Sequence, residues 1–270
     1  MDPRPQNPLP GRSNFIWVNA PIPYFQFPHL SAHPQISHAV FTRHGGHSQP
    51  PYAELNTSYD VGDRPHHVDA NLTMIAETLG TGDLLYLEQV HGHHVLVVRP
   101  GDPFWGPQAP SADAVITEAP GLALLVKQAD CQGIILFDPV RCVAAVVHCG
   151  WRGNVANILG SVVARMRCNF RCDAGDLLAA IGPCLGPCCA EFVAYEKIFP
   201  REFHEFRTNA NYFDLVGISR RQLVDAGLKE ENIESAGICT RCRTDLFYSY
   251  RGEGITGRFG TAVMLTRESP

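Results

Sequence analysis

The stretch that decides the fold is Leu122–Gly150, which reads LALLVKQADCQGIILFDPVRCVAAVVHCG. Its runs Leu122–Val126 and Cys142–Val147 are continuously apolar, which is typical of buried strands. The part from Leu122 to Asp138 is strand-rich on both sides of Cys131. Cys131 and His148 each follow one of these runs closely, so both are predicted at strand ends.

A third apolar run, Leu84–Leu87, is followed by Gln89-Val90-His91. Strand ends lie side by side in a sheet, so His91, Cys131 and His148 can meet at one point. Two imidazoles and one thiolate suit zinc with a vacant fourth position, which is typical of catalytic rather than structural zinc sites. The pattern therefore predicts a metal site and an enzyme.

Each ligand also has an ordinary interpretation. His91 could be a histidine near a turn, since His93 and His94 follow it. Cys131 could be a small buried hydrophobic residue, and His148 a core histidine bonded to a backbone carbonyl. Sequence alone cannot show that the three side chains converge, so both interpretations stay open.

Outside this stretch, apolar and glycine patterns predict further elements. A helix begins at Asp63-Arg64-Pro65, presents one apolar face and ends at Gly80. Two more helices are predicted at Val155–Met166 and at Asp214–Ala226, before Gly227. Strands are predicted at Phe15–Val18, His38–Thr42, Val95–Val98, Leu177–Ile181, Ile233–Ile238, Phe247–Tyr250 and Thr261–Leu265. We predict a flexible, proline-rich tail at residues 1–14 and one mixed α/β catalytic domain at residues 15–270.

Composition limits the class of protein. The chain has 270 residues, 45% hydrophobic and 18% charged, so it can bury a full core. The net charge of -5 argues against a nonspecific nucleic-acid partner, which would need a basic face. The start of the chain lacks a secretory pattern, and no apolar run approaches the ~20 residues of a membrane span. We expect a cytoplasmic protein without a membrane partner; the oligomeric state stays open.

Two arginines are candidate anion contacts. Gly150-Trp151-Arg152-Gly153 opens a helix directly after a buried strand, where free N–H groups favour an anion and Arg152 adds a forked donor. Arg43 precedes the Gly45-Gly46 turn. The alternative for both is a solvated arginine at a glycine-rich turn.

Five other cysteines fall in two short segments. Cys184, Cys188 and Cys189 lie in one, and Cys239 and Cys242 form a C-x-x-C in the other. Four of them could hold a second, structural zinc ion, but the spacing is not that of paired C-x-x-C motifs. Buried reduced thiols are the favoured interpretation. Copper-oxidase chemistry is rejected, because a trinuclear centre needs several H-x-H pairs and this chain has one.

Across residues 38 to 264 the sequence resembles the YfiH-like family, which carries the label of a multicopper polyphenol oxidase or laccase domain. The landmarks are Thr42-Arg43-His44-Gly45-Gly46, Leu55-Asn56, Gln89-Val90-His91-Gly92, Ser111-Ala112-Asp113-Ala114, Ala129-Asp130-Cys131, His148-Cys149-Gly150-Trp151-Arg152-Gly153, Ile181-Gly182-Pro183, Cys239-Thr240 and Thr256-Gly257-Arg258.

The resemblance implies an α+β fold, a single-domain layered α/β sandwich with mixed β-sheets. It implies zinc held by His91, Cys131 and His148. From the ligand types alone, copper is the alternative metal, because it binds such ligands more tightly. It also implies phosphorolysis of adenosine and related nucleosides, including methylthioadenosine, with adenosine deamination as a second activity. A role in correcting peptidoglycan precursors is associated with the family. The small-molecule partners would be a nucleoside and phosphate.

The chain departs from the family pattern at Cys149, where alanine is usual, at Gly133, where proline is common, and at Leu72, where arginine is frequent. The first two lie near the site and put substrate choice in doubt, and Cys149 could compete for the metal. For catalysis, we predict Asp130 as a proton shuttle and Arg43 and Arg152 as phosphate contacts. The rival hypotheses are a cysteine hydrolase that uses Cys131 with His91 or His148, and a non-catalytic zinc module closed by Cys149 or His93.

Overall fold

Two six-stranded β-sheets form the framework of the structure, a computed structural model that describes residues 15–102 and 109–267. The predicted tail at residues 1–14 lies outside the described residues. The strands are β1 (Ile16–Val18), β2 (Tyr24–Gln26), β3 (Ile36–Phe41), β4 (Asp83–Tyr86), β5 (Val95–Val98), β6 (Ala114–Thr117), β7 (Leu122–Gln128), β8 (Gln132–Asp138), β9 (Val143–Cys149), β10 (Leu178–Ile181), β11 (Arg207–Asn209), β12 (Tyr212–Phe213), β13 (Ile233–Ser235) and β14 (Phe259–Leu265).

The first sheet has the order β1-β2-β3-β14-β7-β4, and the second has the order β13-β10-β8-β9-β6-β5. Strands β11 and β12 pair separately as a ribbon. Three of the pairs are parallel (β4 with β7, β5 with β6, β10 with β13) and the other pairs of the two large sheets are antiparallel. Both large sheets are therefore mixed.

The two sheets pack face to face, and the alternation of side chains along each strand explains why. In β7, Leu124 and Val126 face the central core, while Leu125 faces the opposite side. In β9, Val146 lies in the central core, and Val147 lies on the outer face. Strands that are buried on both faces carry few polar residues, which accounts for the continuous apolar runs in the sequence.

The three longest helices cover the outer faces of the two sheets. The helices are α1 (Pro28–Ser31), α2 (Pro65–Leu79), α3 (Trp151–Val155), α4 (Ile158–Phe170), α5 (Tyr195–Ile198), α6 (Leu215–Asp225) and α7 (Tyr250–Glu253), with 3-10 turns at Ala174–Asp176, Arg201–Phe206 and Glu230–Asn232. Helix α2 packs on the first sheet, and α4 and α6 pack on the second. The order of layers is helix, sheet, sheet, helices, which confirms the predicted α+β fold, a single-domain layered sandwich with mixed sheets.

Helix α2 follows its sequence signals closely. It begins at Pro65, buries Val68, Leu72 and Ile75, and ends at Gly80, whose φ of +77° is the left-handed conformation that favours glycine. No helix in residues 15–102 and 109–267 is long and apolar enough to cross a membrane.

Two predicted elements were wrong. The segment Phe247–Tyr250 is not a strand, because Phe247 and Tyr248 pack as buried rings in the central core and Ser249 caps the short helix α7. The predicted helix Val155–Met166 is divided into α3 and α4, because Asn157 adopts a φ of +51° and its side chain caps α4.

Candidate metal centre and cleft

Two chain connections cross from one sheet to the other on the same side of the sandwich. One links β4, at the edge of the first sheet, to β5, at the edge of the second, and carries His91. The other links β7 to β8 and carries Asp130 and Cys131. Both His91 and Asp130 have positive φ values, which mark sharp changes of chain direction.

The donor atoms of His91, Cys131 and His148 all lie within 4.8 Å of one another. The two imidazole rings are nearly perpendicular, with centroids 4.8 Å apart. The three residues therefore converge, although not from three neighbouring strands of one sheet as the sequence suggested. His148 lies in β9 of the second sheet, and His91 and Cys131 lie on the crossovers between the sheets.

The Asp113 carboxylate binds both histidines of this centre through hydrogen bonds. Its Oδ1 atom lies 2.9 Å from Nδ1 of His148 and accepts from the backbone N–H of His91 at 3.0 Å, and its Oδ2 atom accepts from the N–H of Gly92 at 2.6 Å. The carboxylate is fully buried. It fixes the His91 turn and the His148 ring together, and it leaves Nε2 of His148 available toward Cys131.

The charged forms of Cys131 and His148 stabilise each other. Burial alone would raise the pKa of Cys131, but His148 and His91 outweigh it and lower the pKa to about 6. Burial would lower the pKa of His148, but Cys131 and Asp113 outweigh it and raise the pKa to about 9. The protein without metal thus favours a thiolate beside an imidazolium, and a cation bound between the donors would take the place of the proton.

Gly150 keeps the space beside the donors open. A Cβ atom at Gly150 would lie 2.8 Å from the Cys131 sulfur and 3.6 Å from Cδ2 of His91, so only glycine leaves the donors clear. Cys149 does not approach this point, because the alternation along β9 directs it into the apolar core under α4. Within the described residues, the group of potential metal ligands here consists of His91, Cys131 and His148, and includes neither Cys149 nor His93.

The donors open into a cleft of about 550 Å³, a size that suits a small organic ligand. Trp151, Phe192 and Tyr250 supply aromatic surface in its wall. Four basic residues also line it, namely Lys127, Arg152, Arg251 and Arg258. The cleft thus combines metal ligands, flat apolar surfaces and positive charge.

Arg152, the candidate anion contact from the sequence, lines this cleft, with its guanidinium stacked 4.5 Å from the centroid of the Trp151 ring. The helix that begins at Trp151 has five residues, so the helix start contributes less to anion binding than the sequence suggested.

Lys127 and Arg258 were not singled out from the sequence. Lys127 is 7% exposed, and its Nζ atom lies 3.9 Å from Oδ2 of Asp60. Burial lowers the pKa of Lys127; Asp60 opposes the shift, and the nearby Arg258 adds to it. A lysine directly after the apolar run Leu122–Val126, and still within β7, was the sequence signal for this site. Arg258 and Asp113 lie in landmark motifs to which no role was assigned.

The structure does not bring Arg43 into the cleft. Its Nη1 atom donates to Glu253 at 2.8 Å and to the carbonyl of Thr244 at 2.7 Å, and the guanidinium stacks on the ring of Tyr248. These partners hold the Arg43 guanidinium outside the cleft, so Arg43 is not placed to bind phosphate there. It anchors the segment that carries α7.

Asp130 lines the cleft, but its carboxylate is occupied. Oδ1 accepts from the hydroxyls of Thr240 and Ser249, both at 2.7 Å, and Oδ2 accepts from the N–H of Arg251 at 2.6 Å. These bonds favour a positioning role for Asp130 over the proton-shuttle role predicted from sequence. Three segments that border the cleft are held together through this one side chain.

The expectation of buried thiols is correct for Cys184 and Cys189 and wrong for Cys188 and Cys242, which are exposed. All ten cysteines are free.

The family profile described as "Multi-copper polyphenol oxidoreductase laccase" matches residues 37–266. The chain belongs to this family. Among curated proteins, it is 31% identical to the "Purine nucleoside phosphorylase" of Bacteroides thetaiotaomicron over 257 residues, covering 87% of this chain and 94% of the relative. It is 36% identical to "Purine nucleoside phosphorylase SCO2081" of Streptomyces coelicolor, covering 85% of this chain and 96% of the relative.

Among solved structures, the "hypothetical protein YfiH" of Bacillus licheniformis superposes with a TM-score of 0.85 at 29% identity, covering 93% of this chain and 99% of that chain. The YfiH-like resemblance inferred from the motifs is thereby confirmed. Within this family, the two curated relatives carry the name of a phosphorylase, while the family description carries the name of an oxidase.

Proposed function

We propose that the chain is a zinc-dependent purine nucleoside phosphorylase that works in the cleft beside His91, Cys131 and His148. The observation that carries the proposal is the convergence of these three donors on a cleft with aromatic and basic walls. The names of the curated relatives support the same reaction class.

The donor set suits zinc, because two imidazoles and one thiolate leave one coordination position for a ligand. Bound there, zinc would supply Lewis-acid chemistry. The protein's own contribution is to hold His148 by Asp113 and to keep the space at Gly150 open. Copper also binds such donors, so the metal of the purified protein has to be measured.

Phosphorolysis forms a bond between a phosphate oxygen and the anomeric carbon and breaks the bond from that carbon to the purine nitrogen. The electron pair leaves with the purine, which then takes a proton. Phosphate is a mixture of the singly and doubly charged anion near neutral pH, so it needs basic partners. We assign this role to Arg152, Lys127 and Arg258. A bound anion would also relieve the repulsion between the last two.

The purine would lie against the aromatic wall of the cleft. Trp151 and Phe192 already pack edge to face, with ring centroids 6.4 Å apart, and Tyr250 is 61% exposed. Flat apolar rings bind nucleobases by stacking with little dependence on the base. This agrees with a range of purine nucleosides, and we propose adenosine and methylthioadenosine as substrates and adenosine deamination as a second activity.

The test is to incubate zinc-loaded protein with adenosine or methylthioadenosine, with and without phosphate, and to separate the products by chromatography. The proposal expects free adenine from both nucleosides only when phosphate is present, and inosine from adenosine if deamination also occurs. Adenosine and methylthioadenosine that remain intact with folded, zinc-loaded protein would contradict the nucleoside assignment.

A second candidate is a cysteine hydrolase, including one that edits cell-wall precursors. It is favoured by the close approach of Cys131 to His148, which resembles a nucleophile and its base. Rapid alkylation of Cys131 together with activity in metal-free protein would support this candidate. Activity that is strictly dependent on zinc would exclude it.

A further inference from the structure

Four cysteines outside the cleft form a second cluster of potential metal ligands. The sulfur atoms of Cys188, Cys189, Cys239 and Cys242 all lie within 4.8 Å of one another. The Cys242 sulfur is 3.6 Å from the sulfurs of both Cys188 and Cys189. Cys184, which belongs to the same stretch of sequence, is not part of the group.

These distances match one tetrahedral ion. A zinc ion with Zn–S bonds of about 2.3 Å places its four sulfurs about 3.8 Å apart. The sulfurs of the cluster therefore need small shifts to surround one ion, and they are too close together to enclose a polynuclear cluster. Four thiolates around one ion leave no position for substrate, which is typical of a structural centre.

The backbone presents the four sulfurs from two tight turns. In the first, the N–H groups of Cys189 and Ala190 both donate to the carbonyl of Gly186 at 2.9 Å. In the second, the N–H of Arg243 donates to the carbonyls of Cys239 and Thr240, both at 3.1 Å. Each turn carries two of the four cysteines.

The turns are fixed to each other before any ion binds. Cys184 and Cys239 form a parallel β-bridge, and the N–H of Thr240 donates to the carbonyl of Cys184 at 2.9 Å. At Gly186 a Cβ atom would lie 3.0 Å from Cβ of Cys239 and 3.6 Å from the Cys188 sulfur. A side chain there would crowd the cluster, so glycine keeps the space between the turns open.

The cluster is connected to the cleft through Asp130. Thr240, which lies between the two cysteines of the C-x-x-C, donates its hydroxyl to Asp130, and the N–H of Leu185 donates to the Asp130 carbonyl at 2.8 Å. Asp130 precedes Cys131 directly. An ion that held the two turns would therefore also hold the crossover that carries the cleft's own cysteine.

We propose that Cys188, Cys189, Cys239 and Cys242 bind a structural zinc ion, separate from the centre at His91, Cys131 and His148, that joins the two turns beside the cleft. The cluster supplies rigidity to the cleft wall and takes no part in the reaction.

The test is to measure metal content and cobalt spectra on full-length protein purified under reducing conditions. Wild-type protein is expected to hold about two zinc ions per chain, and His148→Ala and Cys242→Ser about one each. Cobalt in the His148→Ala protein is expected to show the intense thiolate-to-metal absorption and visible bands of a tetrahedral four-sulfur site. Cobalt in Cys242→Ser should show the weaker absorption of a single thiolate.

Cys168→Ser is the matched control, because Cys168 is an exposed thiol on α4 outside both groups, and it should keep both ions. If Cys242→Ser does not fold, Cys242→His offers a conservative ligand, and the His148→Ala measurement alone still decides. The proposal is overturned if folded His148→Ala protein holds no tightly bound zinc and all four thiols are alkylated at the rate of Cys168. It is also overturned if mass measurement of freshly purified protein shows these cysteines joined as disulfides.

Discussion

Nδ1 of His148 lies 2.9 Å from Oδ1 of Asp113, a carboxylate that is fully buried between the sheets and also holds the His91 turn. One side chain thus sets the orientation of two candidate metal ligands that come from different parts of the chain. Burial raises the pKa of Asp113, but the hydrogen bonds from His148 and Gly92 outweigh it and keep the pKa below its ordinary value. The carboxylate is therefore charged when a cation binds beside it.

Asp113→Asn should weaken zinc binding at this centre roughly 10- to 100-fold. The amide lacks the negative charge, and its NH2 group accepts no hydrogen bond, so at least one of the N–H groups of His91, Gly92 and His148 loses its acceptor. Competition with a chelator measures the affinity. Asp225→Asn, an exposed residue of α6, is the control and should bind zinc like the wild type. Equal zinc affinity in Asp113→Asn would show that the carboxylate does not organise the centre.

Arg152→Ala should raise the KM for phosphate about tenfold and change the KM for the nucleoside much less. The guanidinium stacks on Trp151 at the cleft wall, so its removal should leave the fold intact. Steady-state kinetics with each substrate varied in turn separates the two effects. Arg221→Ala, an exposed arginine of α6, is the control. An unchanged KM for phosphate would remove Arg152 from phosphate binding.

Arg43→Ala should lower the stability of the protein and leave the KM for phosphate nearly unchanged. It removes charged and carbonyl hydrogen bonds to Glu253 and Thr244 and is expected to lower the free energy of unfolding by about 2–3 kcal/mol. The KM for phosphate should stay within about twofold of wild type, because Arg43 lies outside the cleft. Denaturant titration and kinetics on the same preparation measure both quantities. A stable variant with a large increase in the KM for phosphate would restore the role predicted from sequence.

His38 should make the protein less stable as the pH falls. Burial and, to a lesser degree, His29 lower its pKa to about 3, and its Nε2 atom accepts from the N–H of Phe27 at 2.8 Å. Below pH ~6.5 His38 is protonated in the unfolded chain but stays neutral in the folded chain, which favours unfolding. The stability that a neutral His38 confers is therefore complete above pH ~6.5 and declines toward pH 3. At pH 5 the loss should be about 2 kcal/mol.

Comparison of wild type with His38→Gln by denaturant titration at pH 5 and pH 7 checks this expectation. The variant should lose less stability between the two pH values, while the exposed His66→Gln should lose as much as the wild type. The same pH dependence in all three proteins would assign it to other groups.

The layers of the fold could be predicted largely from sequence, because the signals are local. Pro65 and Gly80 mark the ends of α2, and the apolar runs of β7 and β9 mark strands that are buried on both faces. Phe247–Tyr250 has the composition of a strand but not its structure, since the rings of Phe247 and Tyr248 fill the core without a partner strand. Strand pairing depends on distant residues, which a local pattern does not contain.

Residue type and position after apolar runs were enough to predict the ligands of the candidate centre, but the prediction placed all of them at strand ends of one sheet. In the structure, two of them lie where the chain crosses between the sheets and the third, His148, lies in β9, and this arrangement follows from the topology. No local pattern predicts the roles of Asp113, Lys127 and Arg258, because those roles depend on the cleft and the side chains around them in the fold. The four-cysteine cluster likewise depends on two turns that lie about fifty residues apart in the sequence and are joined by the bridge between Cys184 and Cys239.

The measurement that tests the central claim most directly is the stoichiometry of phosphate consumed and purine released by zinc-loaded wild type and by His148→Ala. The account predicts equal amounts of adenine and ribose 1-phosphate from adenosine in the wild type, no adenine without phosphate, and a loss of at least about 100-fold in the variant. Adenine released without phosphate, or at the same rate by folded His148→Ala, would contradict a phosphorylase centred on His91, Cys131 and His148.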